Sequence, residues 1–279
     1  MAVYLNNQFV DNEDAVLHVS DLSIQRGYAV FDFFRATHGM PLFMQDHLDR
    51  FFASSAAMHL PVKQSREELA DIIMELLKRT AIPVAGIKMM ITGGYSPDLY
   101  QPTEPNLFIT CSPIKVSTEA DFNKGIHAIT YEYQRDMPHI KSINYQLALW
   151  LQPLLKEKKA DDVLYFKNNI VTEFPRNNLF MLTADDKLVT PAHNILLGVT
   201  RKKIIALAAD MIAVEERDIT VDELFTAREL FLSSSMKRIL PVINIDGKPV
   251  ADGQPGSFTK RIYQKFRDLE ERLVQAVSL

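Results

Sequence analysis

Lys141 stands in the stretch HIKSINY (residues 139–145), between a strand-like segment, IHAITYEY, and an apolar helix-like run, QLALWLQPLL. Most lysines keep their ammonium in water on an exposed face. This one falls at a junction whose flanks both read as buried. An amine is a nucleophile only when neutral, and a free lysine titrates near pH ~10.4. Burial at a strand end disfavours the charged form and lowers that value. The chemistry open to such an amine is Schiff-base formation with a carbonyl.

That carbonyl belongs either to a substrate or to pyridoxal phosphate, and the second choice makes further demands on the chain. It needs a cup for a phosphate dianion and a group that keeps the pyridine nitrogen protonated. For the phosphate, LLGVTRKKIIALA places Gly198 just before a helix, with Thr200 and Arg201 in its first turn. Free N–H groups and the positive end of the helix dipole favour an anion there. Ser233, Ser234 and Ser235 add hydroxyl donors, and Arg50 in DHLDRF adds a full positive charge. For the ring nitrogen, Glu173 in VTEFPRNNLF is the candidate, because an opposite charge stabilises a pyridinium. Taken singly, each has a plainer explanation: an ordinary helix start, a solvated arginine, a strand-end glutamate.

Other chemistries find less support. The histidines at 18, 38, 47, 59, 127, 139 and 193 show none of the short spacings of zinc sites, and there is no CxxC. GxSxG, GxxxxGK[ST] and GxGxxG are all missing, which sets aside the common hydrolase, NTPase and dinucleotide fingerprints. No metal is expected. A net charge of −4 argues against a broad nucleic-acid surface. The single cysteine, Cys111, rules out an intrachain disulfide and, in the apolar stretch NLFITCS, reads as a buried thiol suited to a reducing compartment. The N-terminal stretch lacks a basic and then apolar leader pattern, and no apolar run reaches the ~18 residues of a membrane span. The expectation is a cytoplasmic protein.

The apolar spacing supplies the elements that must position these groups. VYLNNQFV reads as a hairpin turning at Asn6-Asn7, followed by strand AVFDFFRAT and a short strand, PLFM. From Asp46 the spacing of Leu48, Phe51 and Phe52 predicts a helix, and Ser65 with Glu68 forms a capping box for a second, REELADIIMELLKRT. Strands AGIKMMITGG and NLFITCSPIKV complete an α/β domain over 1–113. The polar, aperiodic segment 114–124 reads as a linker. A second α/β domain, 125–279, begins with strand 126–133 and helix 145–158. Strands VLYF, IVTE and NLFML follow, then helix 199–212 and strands ELFLSS and RILPVINI. A hairpin turn at Asp246-Gly247 and a long amphipathic helix close the chain.

In this order, RGYAVFDFFRATHG, MQDHLDRF, HIKSINY, VTEFPRNNLF, LLGVTR, FLSSSMKRILPV and the last hairpin, IDGKPV, resemble the class IV aminotransferases. These are the pyridoxal phosphate enzymes of fold type IV, including D-amino-acid aminotransferase, branched-chain aminotransferase and aminodeoxychorismate lyase. The resemblance covers nearly the whole chain. It rests on a lysine motif, a TE-x-x-x-x-N-x-F motif and a G-[IV]-T-R motif in register. It implies two α/β domains with the cofactor between them, in a homodimer. It implies that Lys141 carries the cofactor as a Schiff base and shuttles a proton, and that Glu173 pairs with the pyridine nitrogen. By the same resemblance Arg50, the amides of Val199 and Thr200, the Thr200 hydroxyl and Ser235 hold the phosphate, and Tyr145 bonds the phenolic oxygen. The implied activity is ping-pong transfer of an amino group between a small amino acid and a 2-oxo acid. The alternative is a 4-amino-4-deoxychorismate lyase releasing pyruvate. A non-catalytic binding protein on this fold would have no need of both Lys141 and Glu173.

The substrate-facing stretches depart from the family pattern. Where members read RG[YF]xxGDGVFE, this chain reads RGYAVFDFFRA, with Phe31 and Asp32 at the expected aromatic and glutamate. A tyrosine hydroxyl used near the substrate carboxylate is then missing. An SPRAH-like loop reads SPDLY, and Asp98 there would repel a carboxylate. Phe31 and Arg176 are the expected substrate-binding residues, Arg176 as a carboxylate fork and Arg35 as a second candidate.

Overall fold

The computed structural model describes residues 2–275, which form two compact units. The first comprises residues 2–115, the segment Ile140–Asn144 and residues 272–275. Its elements are β1 (Ala2–Leu5), β2 (Gln8–Asp11), α1 (Leu22–Arg26), β3 (Ala29–Thr37), β4 (Met40–Pro41), α2 (Met44–Ala57), α3 (Arg66–Thr80), β5 (Val84–Thr92) and β6 (Leu107–Pro113). The strands make one antiparallel sheet in the order β2-β1-β6-β5-β3-β4.

Period-two alternation puts Val30, Asp32, Phe34 and Ala36 on one face of β3, all buried. Val30, Phe34 and Ala36 join Leu48 and Phe51 of α2 and Leu69, Ile73 and Leu76 of α3 in a single apolar core. Cys111 lies in the same core, and burial pushes its thiol up. The Ser65–Glu68 capping box forms as the spacing predicts, with Ser65 Oγ accepting the Glu68 N–H at 3.1 Å and Glu68 Oε2 accepting the Ser65 N–H at 2.7 Å.

The second unit takes Val116–His139 and Tyr145–Glu271. It contains α4 (Glu119–Lys124), β7 (Ile126–Glu132), α5 (Gln146–Trp150), α6 (Gln152–Lys158), β8 (Asp162–Lys167), β9 (Ile170–Val171), β10 (Asn178–Leu182), β11 (Lys187–Thr190), α7 (Val199–Ala209), β12 (Ala213–Glu216), β13 (Ile219–Thr220), α8 (Val221–Leu224), β14 (Glu229–Ser234), β15 (Arg238–Ile245), β16 (Lys248–Pro249) and α9 (Ser257–Gln275). Its mixed sheet runs β12-β11-β10-β14-β15-β7-β8-β9-β13, with β16 paired to β15. The pairs β11/β12, β15/β7 and β7/β8 are parallel. Glu229 of β14 anchors the closing helix, accepting the N–H groups of Phe258 at 2.9 Å and Thr259 at 2.7 Å.

Several local expectations change in the structure. The strand expected over PLFM shrinks to β4, because Phe43 adopts a left-handed φ of 56° and α2 begins at Met44, ahead of Asp46. The helix expected over 145–158 is two, α5 and α6, divided at Leu151. Pro153 explains the break, since proline suits the first turn of a helix but gives an interior no N–H donor. Segment 114–124 contains α4, started by a Thr118–Asp121 capping box. Six residues are too few to display a helical period.

Gly94 tests the turn after β5: its φ is +80°, and a Cβ there would lie 2.1 Å from the Glu104 carbonyl oxygen. Gly94→Ala is expected to destabilise the protein by roughly 1–3 kcal/mol or more in denaturant unfolding. A midpoint equal to wild type would overturn this account.

Candidate active site

In the first unit, Lys141 is fixed through its backbone. Its segment lies along the first half of β3: the Phe31 N–H donates to the Lys141 carbonyl at 3.0 Å, and the Ile143 N–H donates to Ala29 at 3.2 Å. The Lys141 N–H donates to the buried Ser54 Oγ of α2 at 3.2 Å. With both backbone groups held, the side chain extends from a rigid point, and Nζ stands 4.7 Å from the centre of the Phe31 ring. Lys88 Nζ approaches the same ring at 5.4 Å, and burial pushes the Lys88 amine down.

The next residue along β3, Asp32, faces the other side and is fully buried. Arg50 grips it with two bonds, Nε to Oδ2 at 2.8 Å and Nη2 to Oδ1 at 2.9 Å. His47 Nδ1 lies 2.7 Å from Oδ1, and an ionised carboxylate only accepts, so Nδ1 carries the proton. The His47 ring stacks on Phe34 with centroids 4.9 Å apart. Burial alone would raise Asp32, but Arg50 and His47 outweigh it and hold the carboxyl far below the usual range. Burial pushes His47 down, Asp32 opposes this, and the Arg50 and Lys141 charges reinforce it.

In the second unit, Glu173 is buried and its carboxylate is held at both oxygens. Arg135 Nη1 donates to Oε1 at 2.9 Å, and the Leu196 N–H donates to Oε2 at 3.0 Å. Asn178 Nδ2 stands 3.5 Å from Oε2. The start of α7 follows Leu196 closely. Val199 and Thr200 are buried there, no side chain caps Gly198, and no acidic residue occupies the first turn. A buried helix start of this kind leaves N–H donors for an anion. Arg201 is engaged away from that helix start. Its Nη2 donates to the Pro191 carbonyl at 2.9 Å and to Glu216 at 2.7 Å, and its Nε to Thr190 Oγ1 at 3.2 Å.

Tyr145 is the half-buried residue before α5, and Ser235 follows β14, also half-buried. The Ser233 hydroxyl is buried without a hydrogen-bond partner. Arg176 sits exposed at the apex of a tight turn closed by the Phe174 N–H and the Asn177 carbonyl at 3.0 Å. Asp98 Oδ1 accepts from Ser96 Oγ at 2.8 Å and from the N–H groups of Tyr100 at 3.0 Å and Gln101 at 2.9 Å, so it builds its own turn. Among the described residues no His/Cys/Asp/Glu group is arranged for a metal, and no helix is long and apolar enough to cross a membrane.

Sequence reasoning missed two residues here. Arg135 lies in the polar stretch YQRDMP, which carries no pattern, and Asn178 was visible only as the asparagine of the TE-x-x-x-x-N-x-F motif. The donors fit pyridoxal phosphate: a buried uncapped helix start and a partnerless serine hydroxyl suit a phosphate, and a fixed buried carboxylate suits a pyridine nitrogen.

The family model for amino-transferase class IV matches residues 29–245. A putative branched-chain-amino-acid aminotransferase of Methanocaldococcus jannaschii is 30% identical over 98% of this chain and 97% of its own. A D-alanine aminotransferase of Listeria monocytogenes is 31% identical over 99% of this chain and 97% of its own. The crystal structure of the Escherichia coli branched-chain amino acid aminotransferase superposes with a TM-score of 0.90 at 27% identity, covering 96% of this chain and 94% of that one. The chain belongs to the class IV aminotransferases, enzymes that use pyridoxal phosphate, and it has their fold type IV architecture.

The buried His47 sets a pH dependence. A histidine whose folded pKa is depressed is protonated first in the unfolded chain, so stability is full above the ordinary histidine range near ~6.5 and falls as pH drops toward the folded value. The unfolding free energy is expected to decline between pH 7 and 5, by up to about 1.4 kcal/mol per pH unit from this proton, with the thermal midpoint falling alongside it. His47→Gln is expected to flatten that limb. An equally steep limb in the variant would assign the effect elsewhere.

Proposed function

We propose that the enzyme moves an amino group between a small amino acid and a 2-oxo acid, with Lys141 as the catalytic residue. Pyridoxal phosphate, bound through the Lys141 amine, supplies the electron sink that stabilises negative charge at the amino acid's Cα. Arg50, the amides of Val199 and Thr200, the Thr200 hydroxyl and Ser235 would hold its phosphate. Glu173 would keep the ring nitrogen protonated, and Tyr145 would bond the phenolic oxygen. Lys141 would move a proton between the amino acid's Cα and C4′ of the cofactor, a transfer that needs an amine on a fixed backbone. Phe31 would flank the substrate, and Arg176 would bind its carboxylate.

The observation that carries this reading is the buried Glu173 carboxylate, held in place by Arg135 and the Leu196 amide. Such a group serves an electron sink and is superfluous in a mere binder. Relatives named as branched-chain and D-alanine aminotransferases support amino transfer, and the lyase reading is not favoured. The reading extends to a cytoplasmic homodimer, supported by the family resemblance and the single cysteine.

The test is the visible spectrum of the purified protein with added pyridoxal phosphate, before and after a panel of L- and D-amino acids. Bleaching by particular donors is expected and would name the substrate class; a band that no amino acid changes would overturn amino transfer. Lys141→Ala is expected to abolish the lysine-bound band and to lower turnover by a factor on the order of 10³. Arg176→Ala is expected to raise KM for the amino acid strongly, and an unchanged KM would remove Arg176 from substrate binding.

A further inference from the structure

We propose that Asn178 is a positioning residue that couples the Glu173 carboxylate to the start of helix α7, so that the two anchors grip their ligand as one fixed pair. This rests on the pyridoxal phosphate reading above.

Asn178 opens β10 and is buried. Its Nδ2 donates to the Leu196 carbonyl at 2.8 Å, and the Leu196 N–H donates to Glu173 Oε2 at 3.0 Å. The direct contact from Asn178 Nδ2 to Glu173 Oε2, at 3.5 Å, is at the limit of a hydrogen bond, so Leu196 carries most of the link, through its carbonyl on one side of Cα and its N–H on the other. On its other side, Asn178 Oδ1 fills the space beside Gly198: a Cβ on Gly198 would lie 2.2 Å from it. One carboxamide therefore touches both Leu196, the residue whose N–H fixes the carboxylate, and Gly198, the residue that starts the helix. A ligand with an anionic group and a ring nitrogen at a rigid separation needs both anchors at the matching spacing. Asn178 sets that spacing without touching the ligand.

The same contact supplies a non-local test. The Gly198 backbone, at φ −69° and ψ 140°, is open to any residue, so Gly198→Ala acts by displacing the carboxamide. Three variants are compared with wild type: Gly198→Ala, Asn178→Ala and the double variant. Two readouts are taken. One is the ratio of affinities for pyridoxal phosphate and pyridoxal, measured at equilibrium. The other is the pH titration of the visible band, which senses the ring end.

Gly198→Ala, made at the phosphate end, is expected to shift the titration in the same direction as Asn178→Ala. Each is expected to shrink the affinity ratio roughly tenfold, the scale of one hydrogen bond, and the double variant is expected to add little. Asn178→Ser replaces Asn178→Ala if the latter does not fold, with the same expected direction. Additive effects, or a Gly198→Ala titration equal to wild type, would overturn the coupling alone. A wild-type protein that develops no visible band with added pyridoxal phosphate would overturn the cofactor reading and the coupling with it.

Discussion

A buried carboxylate must have its charge answered by the protein, because water can no longer do it. An unpaired ion in the interior costs several kcal/mol, on the order of the net stability of a whole domain. Asp32 and Glu173 both meet this condition, and much of the local architecture follows from how they do so. Asp32 draws Arg50 and His47 of α2 onto β3, which ties the helix to the sheet beside the apolar contacts of Phe51 and Leu48. Glu173 draws in Arg135 and the peptide before α7, so the path of a loop is set by a charge rather than by packing.

The two arrangements differ in the donors they draw on. Asp32 takes two donors of one guanidinium, and so orients Arg50 as a rigid plate rather than a swinging point charge. Glu173 takes donors of three different kinds, from a side-chain cation, a backbone amide and, more distantly, a carboxamide. One carboxylate organises a neighbouring arginine, and the other is itself fixed by the donors around it.

The sequence disclosed the parts of this structure that repeat or that carry charge in unusual places. Lys141 stood out because it interrupted apolar flanks, and the alternation along AVFDFFRAT announced β3. The Ser65–Glu68 box announced α3 because two polar side chains at fixed spacing have one geometric use. What stayed hidden were relations between distant segments. Nothing in YQRDMP says that Arg135 reaches a glutamate 38 residues on, and Asn178 shows its use only when Leu196 and Gly198 are beside it. Short elements such as α4 and β13 escaped for a different reason: they complete less than one legible period. The aspartate at position 32 looked like a departure from a pattern, whereas it is the centre of a buried ion cluster.

The segment that holds Lys141 has a consequence for how the chain comes into being. The first unit leaves off at Lys115, and β3 receives its partner Ile140–Asn144 only after part of the second unit has intervened; residues 272–275 return later still. During synthesis the first sheet therefore emerges with a stretch of β3 unpaired and waiting. Two long loops must close before that unit is whole, which is the slow part of assembling a non-local topology. The amine is thus placed onto strands that precede it in the chain, so the rigidity around Lys141 is inherited from a template rather than made by its own neighbours in sequence.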